Sequence, residues 1–100
     1  MSTYFKVSSY EDFLALAQQK DIRIAKATID AILENLNTKR KNIHVFEIEV
    51  EDEGVTYDLT IERENFLDAL EKNLEHYERE ELYEECAEIV NAITFLKNKQ

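Results

Sequence analysis

Apolar residues recur along this chain with two different periods, and the change of period divides it into elements. The first stretch is helical in period. Ser9-Tyr10-Glu11-Asp12 has the form of a capping box, with Ser9 as N-cap and Asp12 three residues on. Phe13, Leu14, Leu16 and Ala17 follow, so a first helix is predicted over about residues 9–19. Asp21 is placed to cap a second helix, whose apolar positions are Ile22, Ala25, Ile29, Ile32, Leu33 and Leu36. That is the stripe of an amphipathic helix, predicted over about residues 21–37. Lys39-Arg40-Lys41 lies just beyond its end, where cations complement the helix dipole.

The period then falls to two. In HVFEIEVE, Phe46, Ile48 and Val50 alternate with Glu47, Glu49 and Glu51. In VTYDLTIE, Val55, Tyr57, Leu59 and Ile61 alternate with Thr56, Asp58, Thr60 and Glu62. Two half-buried strands around Asp52-Glu53-Gly54 read as a hairpin over about residues 43–62. A two-residue turn at Glu53-Gly54 sets Val50 against Tyr57, Ile48 against Leu59 and Phe46 against Ile61. A four-residue loop keeps that pairing, so both lengths stand; a three-residue loop would flip the faces. The other face is acidic, with Glu49 opposite Asp58 and Glu47 opposite Thr60. Opposed like charges are mildly destabilising and call for a nearby cation, a basic partner or screening by solvent.

The helical period returns at Phe66, Leu67, Leu70, Leu74 and Tyr77, and again at Leu82, Tyr83, Cys86, Ile89, Val90, Ile93 and Leu96. Two helices over about residues 64–77 and 80–98, joined by a short turn, form an antiparallel helical hairpin. A lone two-stranded hairpin is marginal in water, so its apolar face must lie on helices. The reading is a helix-rich α+β fold in two layers, of order ααββαα, in a single domain over residues 1–100.

Composition sharpens this picture. The chain has 100 residues, is 44% hydrophobic and contains one Gly and no Pro. It is too apolar for a disordered chain and poor in sharp turns. No apolar run is long enough to span a bilayer, and MSTYFKVSSYEDF lacks the build of a secretory signal, which points to the cytoplasm. The net charge is −10, unevenly spread. Residues 1–42 carry seven Lys/Arg and five Asp/Glu, a net of +2; residues 43–100 carry five and 17, a net of −12. Such a surface repels nucleic acid and anionic lipid and attracts a basic protein.

Residues that usually carry chemistry are few. His44 alternates with Phe46 and Ile48 and is expected at the edge of the core; neither it nor His76 has a partner at zinc-ligand spacing. Cys86 falls on the apolar stripe among Glu84, Glu85 and Glu88, the wrong sign to stabilise a thiolate. No phosphate loop, nucleophile elbow or calcium loop occurs. No enzyme activity, cofactor or metal is expected.

Residues 70–97, LEKNLEHYEREELYEECAEIVNAITFLK, carry one local likeness. Leu70, Glu71 and Leu74 sit on a leading helix, Tyr83 at an aromatic position, Cys86-Ala87 at a small pair, and Ile89, Ile93 and Leu96 at apolar positions. The segment resembles the UVR motif, the helical hairpin of excinuclease subunits B and C and of some Clp-associated proteins. Val90-Asn91 stands where that motif carries Arg-Asp. The resemblance implies a hairpin that pairs with another helical hairpin. The inner seam is expected to include Tyr83, Cys86 and Val90, with Ala87 as a small residue at the crossing.

The function expected is a small acidic, non-enzymatic interaction module, an adaptor or regulator, binding a protein with a basic surface and able to form a homodimer. The alternative is an acidic nucleic-acid mimic that occupies a basic protein surface. The candidate interaction residues are Glu47, Glu49, Asp58, Tyr83, Glu84 and Glu88.

Overall fold

The computed structural model describes residues 3–18 and 21–99. Its elements are β1 (Thr3–Val7), α1 (Tyr10–Gln18), α2 (Ile22–Glu34), β2 (Asn42–Val50), β3 (Val55–Glu62), α3 (Phe66–Arg79) and α4 (Tyr83–Asn98). A short 3-10 turn, Arg63–Asn65, leads from β3 into α3. The fold is α+β and helix-rich, with the hairpin laid on helices. Ser9 Oγ accepts from the Asp12 N–H at 3.2 Å, and Asp21 accepts from the Arg23 N–H at 2.8 Å, so both expected caps form. The expected end of the first helix, Gln19, lies outside the described residues.

The structure adds a strand to the expected order. β1 lies parallel to β2, with Tyr4 beside Glu47 and Lys6 beside Glu49, and the sheet runs β1-β2-β3. A parallel pair needs a crossover, and α1 and α2 supply it. β2 is therefore central. Ile43, Val45, Phe46, Ile48 and Val50 are buried on it, with Val50 at 0% exposure. α2 lies between β2 and α3, and α4 packs on α3. Ile29 and Ile32 of α2, Phe66, Leu70 and Tyr77 of α3, and Cys86, Ile89 and Ala92 of α4 join the same core.

The hairpin departs from the expected pairing in two ways. Its loop has four residues, Glu51 to Gly54, and Val50 faces Val55. Ile48 therefore faces Tyr57 and Phe46 faces Leu59, a shift of two residues from the expected register. The shift keeps every side chain on its expected face in this part of the hairpin, since the side-chain period is two. Gly54 closes the loop at φ +64°, a conformation that suits glycine, and its N–H donates to the Val50 carbonyl at 3.0 Å.

The second departure is a β-bulge between His44 and Phe46. Val45 is the extra residue, so His44 pairs with Thr60 and Ile43 with Ile61. His44 is turned from the expected core face onto the acidic face, and Ile43 takes the buried side at 3% exposure.

The seam of α4 is also rotated from the expectation. Cys86, Ile89 and Ala92 are buried, whereas Tyr83 and Val90 are 67% and 47% exposed and Ala87 faces solvent. Ala87 follows Cys86 by one residue, about 100° round the helix, and leaves the interface. The small residues on the buried side of α4 are Cys86 and Ala92 instead.

Candidate functional site

The face of the sheet opposite the buried Phe46-Ile48-Val50 row gathers Tyr4 and Lys6 from β1, His44, Glu47 and Glu49 from β2, and Thr56, Asp58 and Thr60 from β3. Each arrives there by strand alternation, except His44, which the bulge delivers. Glu47, Glu49 and Asp58, all candidates from the sequence, are brought together.

Glu49 is half-buried and doubly engaged. It accepts a hydrogen bond from the Tyr4 hydroxyl, and Lys6 Nζ stands 3.7 Å from its second oxygen. Lys6 thus sets a cation beside Glu49, which faces Thr56 across the strands. The bond to Glu49 is the main reason the Tyr4 phenol is pushed above its ordinary pKa, with burial and the charges of Glu49, Glu47 and Glu51 adding to it.

The directly opposed carboxylates are Glu47 and Asp58, not Glu49 and Asp58. His44 sits beside this pair. Its Nε2 is 3.5 Å from Asp58 Oδ1 and 4.0 Å from Glu47 Oε1. These separations allow an ion pair when the imidazole is protonated. Nε2 itself is buried and has no hydrogen-bond partner, the one such side-chain atom found among the described residues.

Tyr83, Glu84 and Glu88 are not part of this face. They lie on the solvent side of α4, a helix that packs on α3, while α2 is the helix that packs on β2. The sequence candidates thus form two groups. Glu84 and Glu85 occupy the first turn of α4 and Lys97 the last, both with the sign the helix dipole favours.

Cys86 is inside. Burial pushes its thiol pKa up, and the charges of Glu78 and Glu85 push the same way, so the thiol stays protonated near neutrality. A concavity of about 380 Å³ lies between α2 and α3, lined by Ile24 and Ala25 and by charges of both signs: Asp21 and Glu75, Lys72 and Arg79. It has no dominant sign, unlike the sheet face. His76, on its wall, is buried and lies 3.8 Å from Glu80.

Sequence reasoning missed three members of the sheet face: Tyr4, Lys6 and His44. The alternation Tyr4-Phe5-Lys6-Val7 could have marked β1, although it is short. Nothing local marks the bulge, because Val45 is flanked by neither Gly nor Pro.

What fold and face define is a small α+β protein with an acidic sheet face. Searches against protein-family models, curated proteins and solved structures find no match to the chain.

Proposed function

We propose that this chain is a small, non-enzymatic interaction module that binds a protein partner of basic surface through the acidic face of its sheet. The observation that carries this reading is the convergence of Glu47, Glu49 and Asp58 on one face of the sheet. A partner's Lys and Arg side chains would relieve the Glu47–Asp58 opposition and replace the screening that water provides. No described helix is long and apolar enough to cross a membrane. A buried, protonated Cys86 suits a reducing, cytoplasmic setting.

The test is a pull-down from host extract with the wild type and a Glu47→Gln/Glu49→Gln/Asp58→Asn variant. Partners held by this face are lost with the variant and at ~0.5–1 M salt, where screening acts over ~3–4 Å. Equal recovery by the variant would reject the reading. A nucleic-acid mimic is the alternative, and competing duplex DNA would displace the chain from its partner only in that case.

The second group of residues supports self-association. Tyr83, Ala87 and Val90 make an exposed, partly apolar stripe along α4, and the hairpin it belongs to is the segment that resembles the UVR motif. Light scattering at two concentrations tests this: a strict monomer at the higher one removes it.

A further inference from the structure

We propose that His44, Glu47 and Asp58 form a binding site for a divalent transition-metal ion of the zinc type. The inference goes beyond partner binding and does not depend on it. Among the described residues, these three are the group of metal-ligating side chains that come together, with one ligand atom from each within 4.8 Å of the others.

Geometry is the first support. The His44 Nε2 distances to Asp58 and Glu47 are 3.5 and 4.0 Å. Ligands that hold one zinc ion at about 2.0–2.1 Å stand roughly 3.3 Å apart in a tetrahedron. To hold one ion the three atoms, now within 4.8 Å of one another, would draw closer by side-chain rotation. The ligands also stand on paired strands rather than on a mobile loop: Glu47 and Asp58 are direct cross-strand partners.

The second support is the state of the imidazole nitrogen. His44 Nε2 is buried without a hydrogen-bond partner. A buried unsatisfied nitrogen in a folded protein calls for an explanation, and an ion is one that fits here. With the proton on Nδ1, Nε2 offers its lone pair to the space that the two carboxylates border. The bulge at Val45 is what puts it there; unbroken alternation would have sent His44 to the core side.

The donor set chooses the ion. One imidazole nitrogen and two carboxylates suit zinc and its neighbours, whereas calcium and magnesium prefer oxygen alone. Two carboxylates with a neutral imidazole give −2, which the cation cancels. That removes the like-charge opposition across the strands. Three protein ligands leave a position for water or for a side chain brought by another molecule.

The experiment is calorimetric titration of the full chain with zinc chloride, with magnesium and calcium chloride for comparison. Imidazole nitrogen resonances of His44 and His76 are followed in parallel. One zinc ion per chain is expected, with the His44 signals displaced and those of His76 unmoved. His44→Gln, Glu47→Gln and Asp58→Asn should each weaken binding about tenfold or more, and His76→Gln should not. Thermal melts of each metal-free variant show that it is folded, and zinc should raise the melting temperature of the wild type and of His76→Gln more than that of the three site variants. Absence of saturable binding below about 1 mM zinc would overturn the proposal. So would binding that His44→Gln leaves unchanged, or magnesium binding as tight as zinc. An imidazole that titrates as an ion-paired cation and ignores zinc would also overturn it.

Discussion

Arg63 Nη2 donates to the Asn35 carbonyl at 2.8 Å, across 28 residues of chain. The same guanidinium reaches Thr38 Oγ1 at 2.8 Å and, through Nε, the Arg40 carbonyl at 2.7 Å, while its plane lies over the Phe66 ring at 4.9 Å. One side chain thus gathers carbonyls of the segment that follows α2 and ties that segment to the turn before α3. Arg63→Ala should cost about 2–3 kcal/mol, because hydrogen bonds from a charged donor to partly buried acceptors are lost together. Arg63→Lys should recover little, since an ammonium cannot span these acceptors as a fork does. Urea denaturation checks both; a lysine variant as stable as the wild type would refute the fork.

Cys86 and Ala87 are chain neighbours on different sides of α4, one buried at 9% exposure and the other in solvent. Ala87→Leu is therefore expected to change monomer stability by no more than about 0.5 kcal/mol. Cys86→Leu should overpack the contact with α3 and cost about 1–3 kcal/mol. The two melting temperatures, measured at low concentration, decide which residue faces the seam.

Glu81 carries the short connection from α3 to α4 in the left-handed region, at φ 57°. The Leu82 N–H bonds back to the Tyr77 carbonyl at 3.0 Å, and the Glu81 N–H to the Glu78 carbonyl at 3.0 Å. This is a helix end of the kind that glycine usually makes, built without glycine. Glu81→Gly should stabilise the protein by about 1 kcal/mol by relieving the clash of Cβ in that conformation. A fall in the urea midpoint would mean that the Glu81 side chain contributes more than its backbone costs.

These elements show what the sequence carried and what it could not. The caps at Ser9 and Asp21 and the alternation from Phe46 to Ile61 are local signals, and the structure uses them as such. β1 was harder, because its partner is remote: Thr3 pairs with Phe46, and no local pattern tells a five-residue strand where to go. The bulge was hidden for another reason. An extra residue in a strand changes which face every earlier residue meets, and Val45 is a good strand former with no mark of its irregular role. In α4 the apolar positions cover a wider arc than α3 can bury, so Tyr83 and Val90 fit the helical period and still lie outside. The acidic character of the sheet face was legible in Glu47, Glu49 and Asp58; the histidine among them was not.

Tyr77 sets a limit on alkaline stability. Burial, helped by the charges of Asp30, Glu85, Cys86 and Glu88, pushes its phenol from the ordinary 10.0 up to about 12. The folded state holds the proton that the unfolded chain releases first. The contribution is therefore complete below pH 10.0 and is lost as pH rises to about 12, on the order of 2 kcal/mol in all. Tyr77→Phe should melt within about 1 kcal/mol of the wild type at pH 7, because it removes only the hydroxyl and keeps the buried ring. It should lose less stability than the wild type between pH 10 and 12, although Tyr4 and Tyr57, also raised, keep some of the slope. Equal slopes would count against a buried Tyr77 phenol.

Val45 can be removed without sending its neighbours to other faces. In the deletion variant His44 directly precedes Phe46, and alternation still sets Phe46 inward, His44 outward and Ile43 inward, with the pairing of His44 to Thr60 and Phe46 to Leu59 kept. The deletion should cost the packing of the Val45 side chain, now 7% exposed, about 1–3 kcal/mol. Val45→Ala keeps the residue count and with it the bulge; it should lose only the packing of the missing methyl groups, about 1–2 kcal/mol. In that variant the His44 resonances should still respond to Asp58→Asn, since the 3.5 Å contact is preserved. The same response is expected in the deletion variant; its loss there would show that the strand changes register when the bulge is removed.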